Sequence, residues 1–176
     1  MKTQAMTMAV LAAALALGAC NRGPDPAKVQ ADVAKAQADG QKKVADAQAK
    51  LQQAQAQANK DVVNTQVDAR NDANANSNAA NNAAGTANGG TPAGTNDDKV
   101  AQARNDAAEK IADAQYDVDK AKAEAAYEVA KAQCEAQTGD ANKSCKDSAK
   151  ANYDSAVAAA KSTNDAAHSR RQANGG

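Results

Sequence analysis

An all-α fold of long, alanine-rich amphipathic helices is what this sequence predicts, and three observations predict it. The 176 residues are 43% hydrophobic yet 2% aromatic, with no Trp and no Phe, and most of the hydrophobic residues are alanine. Past Ala19 the large aliphatics are few, and they recur at helical intervals. From Pro26 to about Asp72 no further proline appears and Gly40 is the only glycine. Burying a methylene returns about 0.8 kcal/mol, whereas ordering a residue costs about 1–2 kcal/mol of backbone entropy, so these side chains do not support a thick globular core. Alanine instead has the best intrinsic helix propensity, and an Ala, Lys, Gln, Asp and Glu mixture is the signature of long helices or coiled coils. An elongated or coiled-coil-like arrangement is therefore expected. The 21 basic and 21 acidic residues balance to a formal net charge of +0, which argues against nucleic acid as a partner.

The amino terminus reads as export machinery. Met1, Lys2 and Thr3 precede an apolar core from Ala5 to Leu17 and then small residues, the layout of a signal peptide over residues 1–19. That run is too short to span a bilayer as a helix. The stretch Leu17, Gly18, Ala19, Cys20 resembles the lipobox of bacterial lipoproteins. The resemblance implies cleavage before Cys20 and a covalent lipid on its sulfur, with no other cofactor, and each buried acyl methylene would add about 0.8 kcal/mol to the membrane anchor. Where that family's best-known sorting signal for inner-membrane retention places Asp, this chain has Asn21, which implies the periplasmic face of the outer membrane.

Residues 20–25 then form a lipid-anchored spacer. Asp25 followed by Pro26 pairs an N-cap with a first-turn proline and opens a long helix over 26–72. Asn, Gly, Thr and Pro replace the charged residues over 73–97, the composition of a flexible linker. Asn96 or Asp97 caps a second helix running to about Gln137, Gly139 supplies the C-terminal stop, and a third helix runs from about Asn142 to Ala167. The region 98–167 is thus a helical hairpin, and 168–176 a disordered tail.

An internal repeat relates the first two helices at an offset of 67 residues, the segment beginning at Lys43 matching that beginning at Lys110. Val33, Val44, Leu51 and Val62 correspond to Val100, Ile111, Val118 and Val129, with steps of 11, 7 and 11 in both copies. Such steps average about 3.6 residues per turn, so each set forms one narrow, nearly straight stripe, which reads as a helix-packing seam, with a lipid- or peptidoglycan-facing surface as the alternative. Tyr116, Tyr127 and Cys134 make a second stripe on the second helix, roughly 160–180° around from the first. Two seams on one helix imply two neighbours.

With Cys20 assigned to lipid, Cys134 and Cys145 remain, and an oxidising envelope favours a bridge between them; free thiols and a metal pair are the competing readings. A turn at Gly139 brings the two together, which sets Tyr127 near Ala151 and Asn152 and Tyr116 near Thr163. A metal site is not expected, because the single histidine, His168, is remote and no carboxylate set accompanies the cysteines. His168 is expected to be solvated in the tail. Asp39 with Lys43, Asp46 with Lys50 and Asp106 with Lys110 stand at i,i+4, where a pair adds about 0.2–0.5 kcal/mol, and they read as solvated helix faces. No nucleophile, phosphate loop or ligand cluster suggests an enzyme.

Anchor and long helix together resemble small murein lipoproteins, trimeric coils that space the outer membrane from the cell wall; their terminal lysine has no counterpart in Ala173, Asn174, Gly175, Gly176. The Ala, Lys, Asp and Gln run resembles, in composition, the stalk of the TolA envelope protein. Cys134 to Lys161 resembles the C-terminal hairpin of uncharacterised periplasmic proteins. These resemblances imply a non-catalytic envelope scaffold or spacer whose partners are the membrane, a second copy of the chain, or a periplasmic or peptidoglycan-associated protein. The 11-residue spacing also resembles late-embryogenesis-abundant repeats, which implies the alternative of a stress-protective protein that folds on drying or on membrane contact.

Overall fold

The structure is a computed structural model that describes residues 23–82 and 94–174. It is all-α, with α1 at Pro26–Asn82, α2 at Gly94–Cys134 and α3 at Gly139–Asn174, and no strand among the described residues. The first residues of α1 show why it starts where it does. Asp25 Oδ1 accepts a hydrogen bond from the Ala27 amide at 3.0 Å, and its carbonyl accepts from Val29 at 3.0 Å. The first bond satisfies an otherwise orphaned amide, and the second is the first intrahelical bond of α1. At 1.5 Å per residue the 57 residues of α1 extend about 85 Å.

The helix ends depart from expectation. α1 continues past Asp72 to Asn82, so the first part of the expected linker is helical. Ala73, Ala75, Ala79 and Ala80 alternate with residues each costing at most about 0.7 kcal/mol relative to alanine, and no glycine or proline interrupts them before Gly85. α2 begins at Gly94, ahead of the expected cap; Asn96 reaches across to α1 instead, its Nδ2 donating to the Ala69 carbonyl at 3.3 Å. α3 extends from Gly139 to Asn174, so most of the expected tail is helix. Residues 83–93, the middle of the expected linker, lie outside the described residues, as do Leu17, Gly18, Ala19 and Cys20.

α2 is the shared element. It packs against α1 on one side and α3 on the other, and α1 and α3 have no Cα pair within 8 Å of each other. Both pairs run antiparallel: Asp61 meets Lys110 and Asp72 meets Lys99 across α1 and α2, while Cys134 meets Cys145 and Tyr127 meets Tyr153 across α2 and α3. The start of α1 therefore lies at the hairpin-turn end of the molecule, where Lys28 exerts an electrostatic pull on Glu135.

The core is a thin line of small side chains. The buried side chains are Ala47, Ala58, Ala107, Ala123, Ala149, Ala160, Val118 and Cys134 among the described residues. Of the stripe positions, Val118 is buried, and Val33, Val44, Leu51, Val62, Val100, Ile111 and Val129 are half-buried. The most intimate α1 positions are smaller still: Gly40, Ala47 and Ala58 are buried, and Ala36, Ala47, Ala58 and Ala69 recur every 11 residues. Three turns of about 3.67 residues keep an 11-residue repeat on one face, so alanine rows, with valines beside them, form the seam.

Charges follow the same phase. Asp61 with Lys110 at 3.0 Å and Asp72 with Lys99 at 3.4 Å are one 11-residue step apart on both helices. Lys43 lies 3.9 Å from Glu124, and Asp106 pairs with Arg171. Lys43, Asp106 and Lys110 thus reach to neighbouring helices rather than to their i,i+4 partners, while Lys43 and Lys110 stay largely exposed as expected of solvated faces; the geometry of an antiparallel partner offers a closer counter-ion than the next turn does. Among the described residues, the i,i+4 ion pairs that form are Lys150 with Asp154 and Lys161 with Asp165.

Position along the seam predicts mutational cost. Val118 is 2% exposed and Val63 is 54% exposed, so Val118→Ala is expected to destabilise by about 1–2 kcal/mol, and Val63→Ala by less than about 0.5 kcal/mol. Urea unfolding followed by far-UV dichroism measures both.

Candidate functional site

Two clusters of polar and reactive side chains lie at opposite ends of the α2–α3 pair. At the turn, Cys134 and Cys145 form a disulfide with Cα atoms 5.6 Å apart, and Cys134 is fully buried. α2 ends there. Successive tight hydrogen bonds carry the chain from Glu135 to Gln137, and Gly139 takes a left-handed φ of 60°, a conformation glycine adopts without steric cost. Asn142 Nδ2 donates to the Cys134 carbonyl at 2.6 Å, a second bond to an oxygen that also accepts from the Gln137 amide at 3.0 Å. Lys146 closes on Glu135 at 2.8 Å. The Lys146 hydrogen bond holds the Glu135 carboxyl below its ordinary value of 4.5.

One step inward, the Tyr127 and Tyr153 rings pack with centroids 5.4 Å apart and planes tilted by 38°, and Lys131 Nζ stands 5.3 Å from the Tyr127 ring. Tyr127 therefore meets a second aromatic, the residue next to the expected Ala151 and Asn152. Counting seven residues outward from the bridge on each helix lands on Asn152, one position short of Tyr153. Tyr116 does share a shallow groove with Thr163, Ala160 and Asn164.

The second cluster was not legible locally. Asp106, Glu109 and Asp113 of α2 face Asn164, His168 and Arg171 of α3. His168 Nδ1 is 2.7 Å from Glu109 Oε1, and Nε2 is 2.8 Å from Asp113 Oδ1. Asn164 Nδ2 donates to the same Asp113 oxygen at 2.8 Å. Arg171 ion-pairs with Glu109 and stands 2.8 Å from Asp106 Oδ1, an oxygen shielded from solvent whose contact is ionic rather than an aligned hydrogen bond. His168 is thus not a solvated tail residue; its side chain is 35% exposed. Its pKa is raised above the ordinary 6.5, first by the hydrogen bond to Asp113. The Asp113 carboxyl is held below 3.8, first by its hydrogen bond from Asn164. The available signal was a pairing of patterns: carboxylates at 106, 109 and 113, and complementary donors at 164, 168 and 171, each set on one helix face.

Among the described residues no group of three or more His, Cys, Asp or Glu is arranged to hold a metal ion, and no helix is long and apolar enough to cross a membrane. Comparison with protein-family models, characterised proteins and solved structures finds no significant match.

Proposed function

We propose that this chain is a lipid-anchored, non-catalytic scaffold or spacer of the bacterial cell envelope, tethered through Cys20 at the periplasmic face of the outer membrane. The observation that carries the reading is the sequence Leu17, Gly18, Ala19, Cys20 at the end of an apolar leader. The long first helix supports it. α1 opens six residues after Cys20 and runs about 85 Å, so a tether at Cys20 leaves the disulfide turn next to the membrane and the His168 end far from it. Its partners in this reading are the bilayer, through the lipid, and a second copy or a peptidoglycan-associated protein, with no nucleic acid.

Labelled palmitate is expected to enter the wild-type product in bacterial cells and not the Cys20→Ser variant, and the variant is expected to move from the membrane to the soluble fraction. Unlabelled wild type, or a variant that stays membrane-bound, overturns the anchor. The 11-residue phase of the α1 and α2 seam favours a second reading, a stress-protective chain that acquires helix on drying or on contact with membranes. Circular dichroism of the soluble chain from Asn21 onward separates the two: cooperative helix in dilute buffer supports the scaffold, and helix that forms only on drying supports the alternative.

A further inference from the structure

His168 is the only histidine in the chain, and it stands between two carboxylates on successive turns of α2, one against each ring nitrogen. Carboxylates only accept hydrogen bonds, and a neutral imidazole carries one N–H. The ring therefore satisfies Glu109 and Asp113 together only when both nitrogens are protonated; in the neutral form one nitrogen lone pair faces a carboxylate oxygen.

The charges around it are unevenly distributed. α2 presents Asp106, Glu109 and Asp113. From α3 come Arg171, which serves Asp106 and Glu109, and the neutral amide of Asn164 on Asp113, while Asp165 turns away to Lys161. Arg170 of α3 is exposed. α1 does not approach α3, but its Asp68 and Asp72 line the groove on the other side of Asp106, with Lys99 pairing Asp72. Deprotonation of His168 leaves the α2 carboxylates facing Arg171 as the sole cation from α3 in this cluster. No disulfide or aromatic pair holds this end, since Cys145 and Tyr153 lie nearer the turn.

We propose that His168 is a pH-sensitive latch whose doubly protonated ring clamps the last turns of α3, from Asn164 to Ala173, onto α2 and whose neutral form lets them open. The raised His168 pKa gives the direction. A folded value above the unfolded 6.5 means that the stabilisation is fully present below about pH 6.5 and is lost as pH rises through the folded value. Asp113, held below 3.8, sets the acid limit, since its carboxylate is lost only on strong acidification. Opening separates Ala167 of α3 from Ala112 and Tyr116 of α2, which line one groove in the closed form, with the rest of α3 still bound through the disulfide. The proposal is independent of the membrane tether.

Amide hydrogen exchange on the soluble chain from Asn21 onward, corrected for intrinsic rates, tests it. Between about pH 6 and pH 8.5, protection over residues 164–173 is expected to fall roughly tenfold, while residues 145–157 change less than about twofold. His168→Gln is expected to show the lower protection at both pH values. An NMR titration of the wild-type ring is expected to give a midpoint above 6.5 that drops toward it in Asp113→Asn. Protection in the wild type that does not change with pH, a His168→Gln chain that keeps the pH dependence, or a ring that titrates at or below its ordinary value each overturns the latch.

Discussion

Gly40→Leu is expected to open the α1–α2 seam and to destabilise the protein by about 3 kcal/mol, and even Gly40→Ala is expected to cost about 1 kcal/mol. Glycine inside a helix is ordinarily a weakness: replacing it by alanine on an exposed face gains about 1 kcal/mol. Here the sign reverses because of what lies opposite. A Cβ built on Gly40 would stand 2.7 Å from the Ala125 Cβ and 3.2 Å from its Cα. Neither atom belongs to a flexible side chain, so the relief available is separation of the two helix backbones. Dispersion contacts between alanines fall off over fractions of an ångström, and Ala47 and Ala58 lie on the same seam with little longer side chain to fill a gap. The cost therefore spreads beyond residue 40. Equilibrium urea unfolding of the two variants measures it, and the compensating pair Gly40→Ala with Ala125→Gly is expected to recover most of the loss. A Gly40→Ala chain more stable than wild type would show that the helices do not approach this closely.

That position also shows what kind of information local sequence carries. The start of α1 is written in two adjacent residues, Asp25 and Pro26, because capping chemistry involves atoms only a few bonds away. Two neighbours for α2 are implied by two stripes on one helix, which is a periodicity argument about a single element. The closest contacts are different. Leucine and valine mark the stripe by their size, but the Ala36, Ala47, Ala58, Ala69 row blends into an alanine-rich background, where only the eleven-residue step distinguishes it, and Gly40 stands out as a lone glycine without showing what lies opposite. Helix ends are similarly nonlocal. Composition over 168–176 suggests fraying, yet His168 and Arg171 find carboxylates more than 50 residues earlier in the chain, and those contacts hold the last turns in helical form. The cluster of Asp106, Glu109, Asp113, Asn164, His168 and Arg171 depends on the register of α3 against α2, which is set by the turn from Glu135 to Gly139 rather than by either helix. Counting outward from the bridge places Tyr127 beside Ala151 and Asn152, one residue from the Tyr153 ring it meets.

Removing the Cys134–Cys145 bridge, by the double substitution Cys134→Ala with Cys145→Ala, is expected to destabilise α3 docking by about 2.5–3 kcal/mol. That is the chain-entropy cost of leaving so short a loop open in the unfolded state, given a separation of 11 residues. The loss should be local. α3 touches α2 and not α1, so the α1–α2 pair keeps its own seam, its Gly40 contact and its Asp61–Lys110 and Asp72–Lys99 ion pairs. What remains to hold α3 is Ala149, Ala160, the Tyr127–Tyr153 pair, the His168 cluster and, at the turn, the exposed Lys146–Glu135 pair and the Asn142 bond to the residue-134 carbonyl, a thin set for a helix of 36 residues. Double substitution avoids stray thiols, and alanine avoids placing a hydroxyl where Cys134 is completely enclosed. Because the chain has no Trp and no Phe, near-UV dichroism of the variant reports the tyrosines directly, and the Tyr127–Tyr153 signal is expected to fade at a lower urea concentration than the far-UV helix signal. Coincident transitions at the wild-type midpoint would show that α3 is held without its bridge. Above neutral pH the two signals should separate further, since the bridge and the protonated His168 secure opposite ends of the same helix and neither can substitute for the other.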